Sequence, residues 1–162
     1  LMMPGQVCYE PVIQLFGEWI VKEDGSLDRE TISKIVFEKK EILEKLNAII
    51  HPAVKKYILR EIERSKKEKT EFFFIEAALL IEEKYDEICD ELWYIYCEKE
   101  VRMERLRHNR GYSDKKIEQM LKNQLSDEEF ESKCDFQLYN SEDVAHTYLQ
   151  IERKMRTYYE SM

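Results

Sequence analysis

A chain of 162 residues with 43% hydrophobic and 12% aromatic content has apolar material for one globular domain. Its charged fraction of 37% is of mixed sign, which excludes a disordered polyelectrolyte. Its formal net charge of −8 excludes general binding to nucleic acid or to an anionic membrane surface, so an anionic ligand needs a local basic cluster.

The opening residues, LMMPGQVCYE, lack the charged and apolar regions of a signal peptide, and no apolar run approaches the ~18 residues of a membrane span. Cys8, Cys89, Cys97 and Cys134 form no C-x-x-C pair, as expected of reduced thiols in a cytoplasmic protein. Pro11 to Val21 carries Val12, Ile13, Leu15, Phe16, Trp19 and Ile20 at the spacing of a short helix with one buried face. KEDGSL, residues 22–27, is a turn, and Asp28 suits the N-cap of a helix through Ile32, Ile35 and Val36. A longer helical pattern follows from Ile42 to Ile62, interrupted at His51-Pro52, where proline predicts a kink or a helix junction. His51 by itself reads as a side chain satisfied at that bend.

After the charged connector 65–70 comes EFFFIEAALLIEE, residues 71–83. Phe72 to Ile75 predicts a strand buried on both faces, and Ala77 onward the start of a helix. Glu76 stands where that strand would end, the end at which open α/β sheets bind ligands. A carboxylate there is either a ligand-binding group or the start of a solvated loop. Leu92 to Cys97 (LWYIYC) predicts a second strand and Asp135 to Tyr139 (DFQLY) a third. Ser113-Asp114 caps a helix over 115–125, Ser126 caps DEEFESK, and a last helix starts at Glu142. Strands alternating with helices predict a mostly parallel sheet.

RMERLRHNR, residues 102–110, holds Arg102, Arg105, Arg107 and Arg110. Guanidinium groups clamp phosphate oxygens through charge-assisted bonds, and Gly111 would let the segment hinge as a lid. The alternative is a solvated helix face with ion pairs such as Glu98–Arg102. Cys97 reads as strand-end packing or as a reactive thiol. The 162 residues contain no G-x-x-x-x-G-K-[ST], no G-x-G-x-x-G, no H-E-x-x-H and no Cys/His metal spacing.

Taken in order, PGQVCYEPVIQLFG, EDGSLDRETISKIVF, LNAIIHPAV, IEAALLIEE, ERLRHNRGYS, KNQLSDEEF and CDFQLYNS resemble the successive motifs of the dephospho-CoA kinase family, from Met3 to Tyr159. The most specific is Leu46-Asn47 followed by His51-Pro52. The resemblance implies an α/β P-loop kinase fold: a three-layer parallel sheet with a helical CoA-binding subdomain and a lid. Its parts would be a helical region over 8–66, core strands and helix over 71–97, a lid over 98–132, and a last strand and helix over 135–162, all within one domain. It implies ATP-dependent phosphorylation of the ribose 3′-hydroxyl of dephospho-CoA, with Mg²⁺. It also implies binding of the acceptor by His51, Pro52, Glu76, Leu79 and Leu80, contact of Arg105 and Arg110 with ATP phosphates, and approach of Asn140 to the adenine. No catalytic side chain and no protein metal ligand is assigned.

Glu76 and Ala78 stand where the family commonly has Asp and Pro, and Asn109-Arg110 stands where it commonly has Arg-Asp. The family's Walker A loop, first strand and Asp-x-Asp strand would all precede Leu1, so the 162 residues alone are expected to lack kinase activity. The alternative is a non-catalytic nucleotide- or CoA-binding or interaction domain, or an α/β domain similar to the family in structure only.

Overall fold

The computed structural model describes residues 1–77, 79–122 and 124–161, in two compact units, Leu1–Glu76 and Ala77–Met162. The first unit is helical: α1 (Tyr9–Phe16), a 3-10 turn (Glu18–Ile20), α2 (Arg29–Glu38) and α3 (Lys40–Lys67). The helix expected to reach Val21 stops at Phe16. Gly17 leaves helical space at φ 97°, ψ 161°, and donates its N–H to the Ile13 carbonyl. A Cβ at Gly17 would lie 2.9 Å from the indole of Trp19, so glycine admits that ring over the turn. Trp19 is in consequence exposed, not part of the buried face. Asp28 does cap α2, accepting from the Thr31 amide at 3.1 Å and its hydroxyl at 2.7 Å.

The core of this unit is Cys8, Val12, Ile20, Leu27 and Ile32, against which Leu46, Ile49, Ile50 and Ala53 of α3 pack. That packing explains a second correction. His51-Pro52 is neither a junction nor a break, since α3 runs through it for 28 residues. Proline forfeits one helical hydrogen bond, but Ile49, Ile50 and Ala53 bracket it on the core and hold the turns on either side. Replacing the exposed Pro52 by alanine is therefore expected to raise stability by about 1–3 kcal/mol. A denaturant midpoint that falls instead would show the proline to be better suited to this turn than alanine.

The second unit contains a 3-10 turn (Tyr85–Glu87), β1 (Trp93–Tyr96), α4 (Lys99–Arg110), α5 (Asp114–Lys122), α6 (Asp127–Lys133), β2 (Phe136–Tyr139) and α7 (Val144–Ser161). β1 and β2 pair in parallel, Trp93 opposite Phe136 and Tyr96 opposite Tyr139, so the α/β class and the parallel pairing hold. The sheet has two strands among the described residues, not three. Segment 72–75 is not part of a ladder, and Phe73 and Phe74 are exposed. An apolar run becomes a buried strand only when neighbouring strands take up its backbone groups, and none does so among the described residues. Residues 79–84 form turns rather than the expected helix, and Ala78 lies outside the described residues.

The two faces of the sheet are covered differently. Tyr94 stacks on Phe130 of α6 with ring centroids 4.8 Å apart, while Trp93 meets Phe136 edge-on at 5.0 Å on the opposite face. α7 is tied down there by Glu91, which accepts from the Lys154 ammonium at 2.7 Å, the Trp93 indole at 3.1 Å and the Tyr158 hydroxyl. Burial pushes the Glu91 carboxyl up, but the three donors outweigh it and hold it below the usual carboxylate range. A depressed folded pKa means stability that is present above the unfolded value of about 4.3 and lost as pH falls through the folded value. Acid titration of unfolding should show this loss in the native chain. In Glu91→Gln the loss should be missing, with stability lower by about 1–3 kcal/mol at neutral pH. Identical acid limbs for the two proteins would count against it.

The register turns the backbone groups of Tyr139 away from β1. The Gln150 carboxamide of α7 satisfies both of them, accepting from the Tyr139 amide at 2.9 Å and donating to its carbonyl at 2.8 Å. That side chain stands in for a strand neighbour and closes the outer edge of β2 at this point. By the same register Ile95 directs its backbone groups away from β2, and the residue is 48% exposed. Among the described residues no helix is long and apolar enough to cross a membrane.

Candidate functional site

Parallel strands bring their C-terminal ends to one edge, and here Cys97 follows β1 while Asn140, Ser141 and Glu142 follow β2. Backbone and side chains knit these exits together. The Asn140 amide donates to the Tyr96 carbonyl at 2.8 Å, and the Glu98 amide donates to the Ser141 hydroxyl at 2.8 Å. The Tyr139 hydroxyl donates to the Glu98 carboxylate at 2.5 Å, a bond that pushes the phenol pKa up. Thr147 donates to the Asn140 side chain at 3.3 Å.

α4 lies against these exits through two arginines one turn apart. Arg105 donates to the Asn140 carbonyl at 2.5 Å and the Glu142 carbonyl at 3.0 Å, with the Cys97 sulfur at 3.7 Å. Arg102 donates to the Cys97 carbonyl at 3.0 Å and to Gln124 at 3.4 Å, and lies 3.5 Å from the Asp127 carboxylate. The solvated pair Glu98–Arg102 of the alternative reading does not form: Glu98 takes the Tyr139 hydroxyl, and Arg102 turns to the Cys97 carbonyl and Asp127. Asp127 also receives the Tyr94 hydroxyl at 2.5 Å. Burial, then that carboxylate, pushes the Tyr94 phenol far above its ordinary pKa.

The far end of α4 is built for turning. Gly111 adopts φ 61°, ψ 27° and donates to the Arg107 carbonyl while the Tyr112 amide donates to that of Leu106, a left-handed C-cap that suits glycine. Beyond it Arg107 and Asp114 pair at 2.5 Å across the corner, and Ser113 receives the Lys116 amide at 3.4 Å at the start of α5. Ser126 and Glu129 form the reciprocal capping box that opens α6.

The other candidate residues are divided between the two units. Arg110 is exposed at the end of α4, and Leu79 and Leu80 lie in the turns before Tyr85, where Leu79 is exposed and Leu80 half-buried. His51 is half-buried and Pro52 exposed in α3, and Glu76 is exposed at the end of the first unit. Of the predicted set the fold joins Arg105 and Asn140 directly. Sequence inspection overlooked Asp127 and Tyr94. Only the i, i+3 spacing of Arg102 and Arg105 hinted that one face of α4 is basic and inward-facing. Among the described residues no three His, Cys, Asp or Glu side chains converge as a metal site, and all four cysteines are free.

Comparison with known proteins adds the family. The family model described as dephospho-CoA kinase matches residues 1–146. A dephospho-CoA kinase of Fusobacterium nucleatum is 34% identical over 148 residues, which cover 91% of this chain and 75% of that protein. One of Symbiobacterium thermophilum is 31% identical over 156 residues, covering 96% of this chain, and the chain spans 65% of that relative's length. The crystal structure of TT1252 from Thermus thermophilus superposes with a TM-score of 0.73 at 24% identity, covering 92% of this chain and 75% of that one.

Proposed function

The chain belongs to the dephospho-CoA kinase family, and from that premise we propose that it serves the ATP-dependent phosphorylation of the ribose 3′-hydroxyl of dephospho-CoA. The observation that carries the reading is the family match over residues 1–146, which takes in the helical unit, the strand exits and the arginine-bearing α4 together. In this reaction the 3′-oxygen bonds to the γ-phosphorus, the bond from that phosphorus to the ADP oxygen breaks, and the hydroxyl proton passes to solvent water. Catalysis is mostly positioning and charge neutralisation, so cations and backbone donors can supply it without a covalent nucleophile.

The roles of individual residues divide by their surroundings. Arg110, exposed beside the Gly111 cap, is available to triphosphate oxygens. Arg105 already spends two donors on strand-exit carbonyls, so its part is to hold Asn140 and its neighbours beside the nucleotide. His51, Pro52, Glu76, Leu79 and Leu80 are assigned to the dephospho-CoA side, with Glu76 supplying a carboxylate where the family commonly has aspartate. Magnesium would arrive with ATP. It is held in such sites by phosphate oxygens, waters and one or two carboxylates, so three converging protein ligands are not required. The reduced cysteines support a cytoplasmic setting.

Calorimetric titration with dephospho-CoA tests the acceptor half of the proposal. Micromolar to submillimolar binding is expected, weakened by about tenfold or more in His51→Ala. An absence of heat with both dephospho-CoA and ATP would leave a structural likeness without the function.

A further inference from the structure

The geometry points to Arg102 as a positioning residue that clasps the two roots of the α4–α5 hairpin and sets that hairpin over the strand exits. The inference rests on the kinase reading for its functional consequence and on bond geometry for the clasp itself. The hairpin leaves the sheet just after Cys97 and returns at Gln124, and Arg102 touches both points. Its guanidinium also reaches Asp127, the first residue of α6, which is anchored to β1 by the Tyr94 hydroxyl. One cation thus joins the end of β1, the first turn of α4, the segment after α5 and the start of α6.

The alternative is a surface ion pair of little consequence, and its surroundings argue against that. The Arg102 side chain is 27% exposed, and its Nε is buried without a hydrogen-bond partner among the described residues. A half-satisfied guanidinium in such a place carries a desolvation penalty, which its remaining bonds must offset. Asp127 is more exposed, at 45%, so the pair is not a sealed core bridge but one that can open at its outer side. A clasp of this kind lets the hairpin move while returning it to one register, which is what presents Arg110 consistently to a bound triphosphate. The Arg107–Asp114 pair at the opposite, distal end braces the corner but touches neither root.

Two measurements test this. Hydrogen exchange is followed in the native chain, Arg102→Met, Arg102→Lys and Gln124→Glu. The methionine variant should exchange the amides of 99–122 about tenfold faster, with α7 and the first unit unchanged. Lysine should restore protection in part, and Gln124→Glu, which gives Arg102 a second carboxylate, should slow exchange two- to threefold. In kinase-competent protein Arg102→Met should lower kcat at least tenfold and leave KM for dephospho-CoA within twofold, again with partial rescue by lysine. Unchanged exchange over 99–122 in both Arg102→Met and Gln124→Glu would overturn the clasp. If Arg102→Met does not fold, Gln124→Glu alone decides. Altered exchange with unchanged kcat would overturn the positioning role. Wild-type protein that transfers no phosphoryl group in any form would defeat the kinase reading, with the exchange result still judging the clasp.

Discussion

A polypeptide of these 162 residues alone is expected to phosphorylate dephospho-CoA at least ~10³-fold more slowly than a family member of full length, because removing even one preorganised donor to a developing oxyanion costs about 10²–10³ in rate. The four glycines show why. Gly5 lies in the first turns, Gly17 and Gly111 end helices and Gly25 lies in the turn between Val21 and Leu27, all at positive φ, and none belongs to a glycine-rich loop ending in Gly-Lys-Ser/Thr. Without such a loop no array of backbone amides surrounds the β- and γ-phosphates, and no P-loop lysine neutralises them. Supplying ahead of Leu1 a strand and a loop of the form G-x-x-x-x-G-K-[ST] should restore turnover. The open direction at Ile95 is the edge of β1 to which an added parallel strand could bond, whereas Gln150 closes β2 at Tyr139. A coupled assay on both polypeptides checks the expectation. Ready turnover by the 162 residues at ordinary enzyme concentrations would refute it.

The second large effect concerns Arg105. Arg105→Ala should lower the stability of the second unit by about 1.5–3 kcal/mol, since it strips charge-assisted donors from two strand-exit carbonyls. For a unit of this size that is a fall in Tm of roughly 8–17 °C. Arg105→Lys should recover only part, because a point-charge ammonium cannot reach the Asn140 and Glu142 carbonyls in the geometry of a planar fork. A guanidinium reserved for phosphate would behave differently: Arg105→Ala would leave Tm unchanged and weaken ATP binding alone. Scanning calorimetry without nucleotide separates the two outcomes.

Local signals in the chain were legible where one residue decides the outcome. Asp28 and Ser126 cap helices because their side-chain oxygens satisfy amides three residues on, a matter of near neighbours only. The apolar, aromatic runs at 92–97 and 135–139 became strands because each found the other. The equally apolar run at 72–75 did not, having no ladder partner among the described residues. Pro52 misled for the same reason: its local penalty is real, but Ile49, Ile50 and Ala53 pack on a core formed by residues from Cys8 to Ile32.

The order of motifs along the chain determined the family, the α/β class and the set of residues worth testing, because those depend on residue type and spacing. Only the tertiary structure decided what the arginines do. Arg102, Arg105, Arg107 and Arg110 are equivalent as letters in one basic run. Folded, the first closes the base of a hairpin, the second ties the strand exits, the third braces the distal corner, and the fourth is left exposed. A guanidinium takes its role from the oxygens it can reach: Asp127 lies 25 positions beyond Arg102, and Asn140 and Glu142 lie 35 and 37 beyond Arg105. Long-range closure brings them within about 3 Å, a proximity that no local pattern encodes.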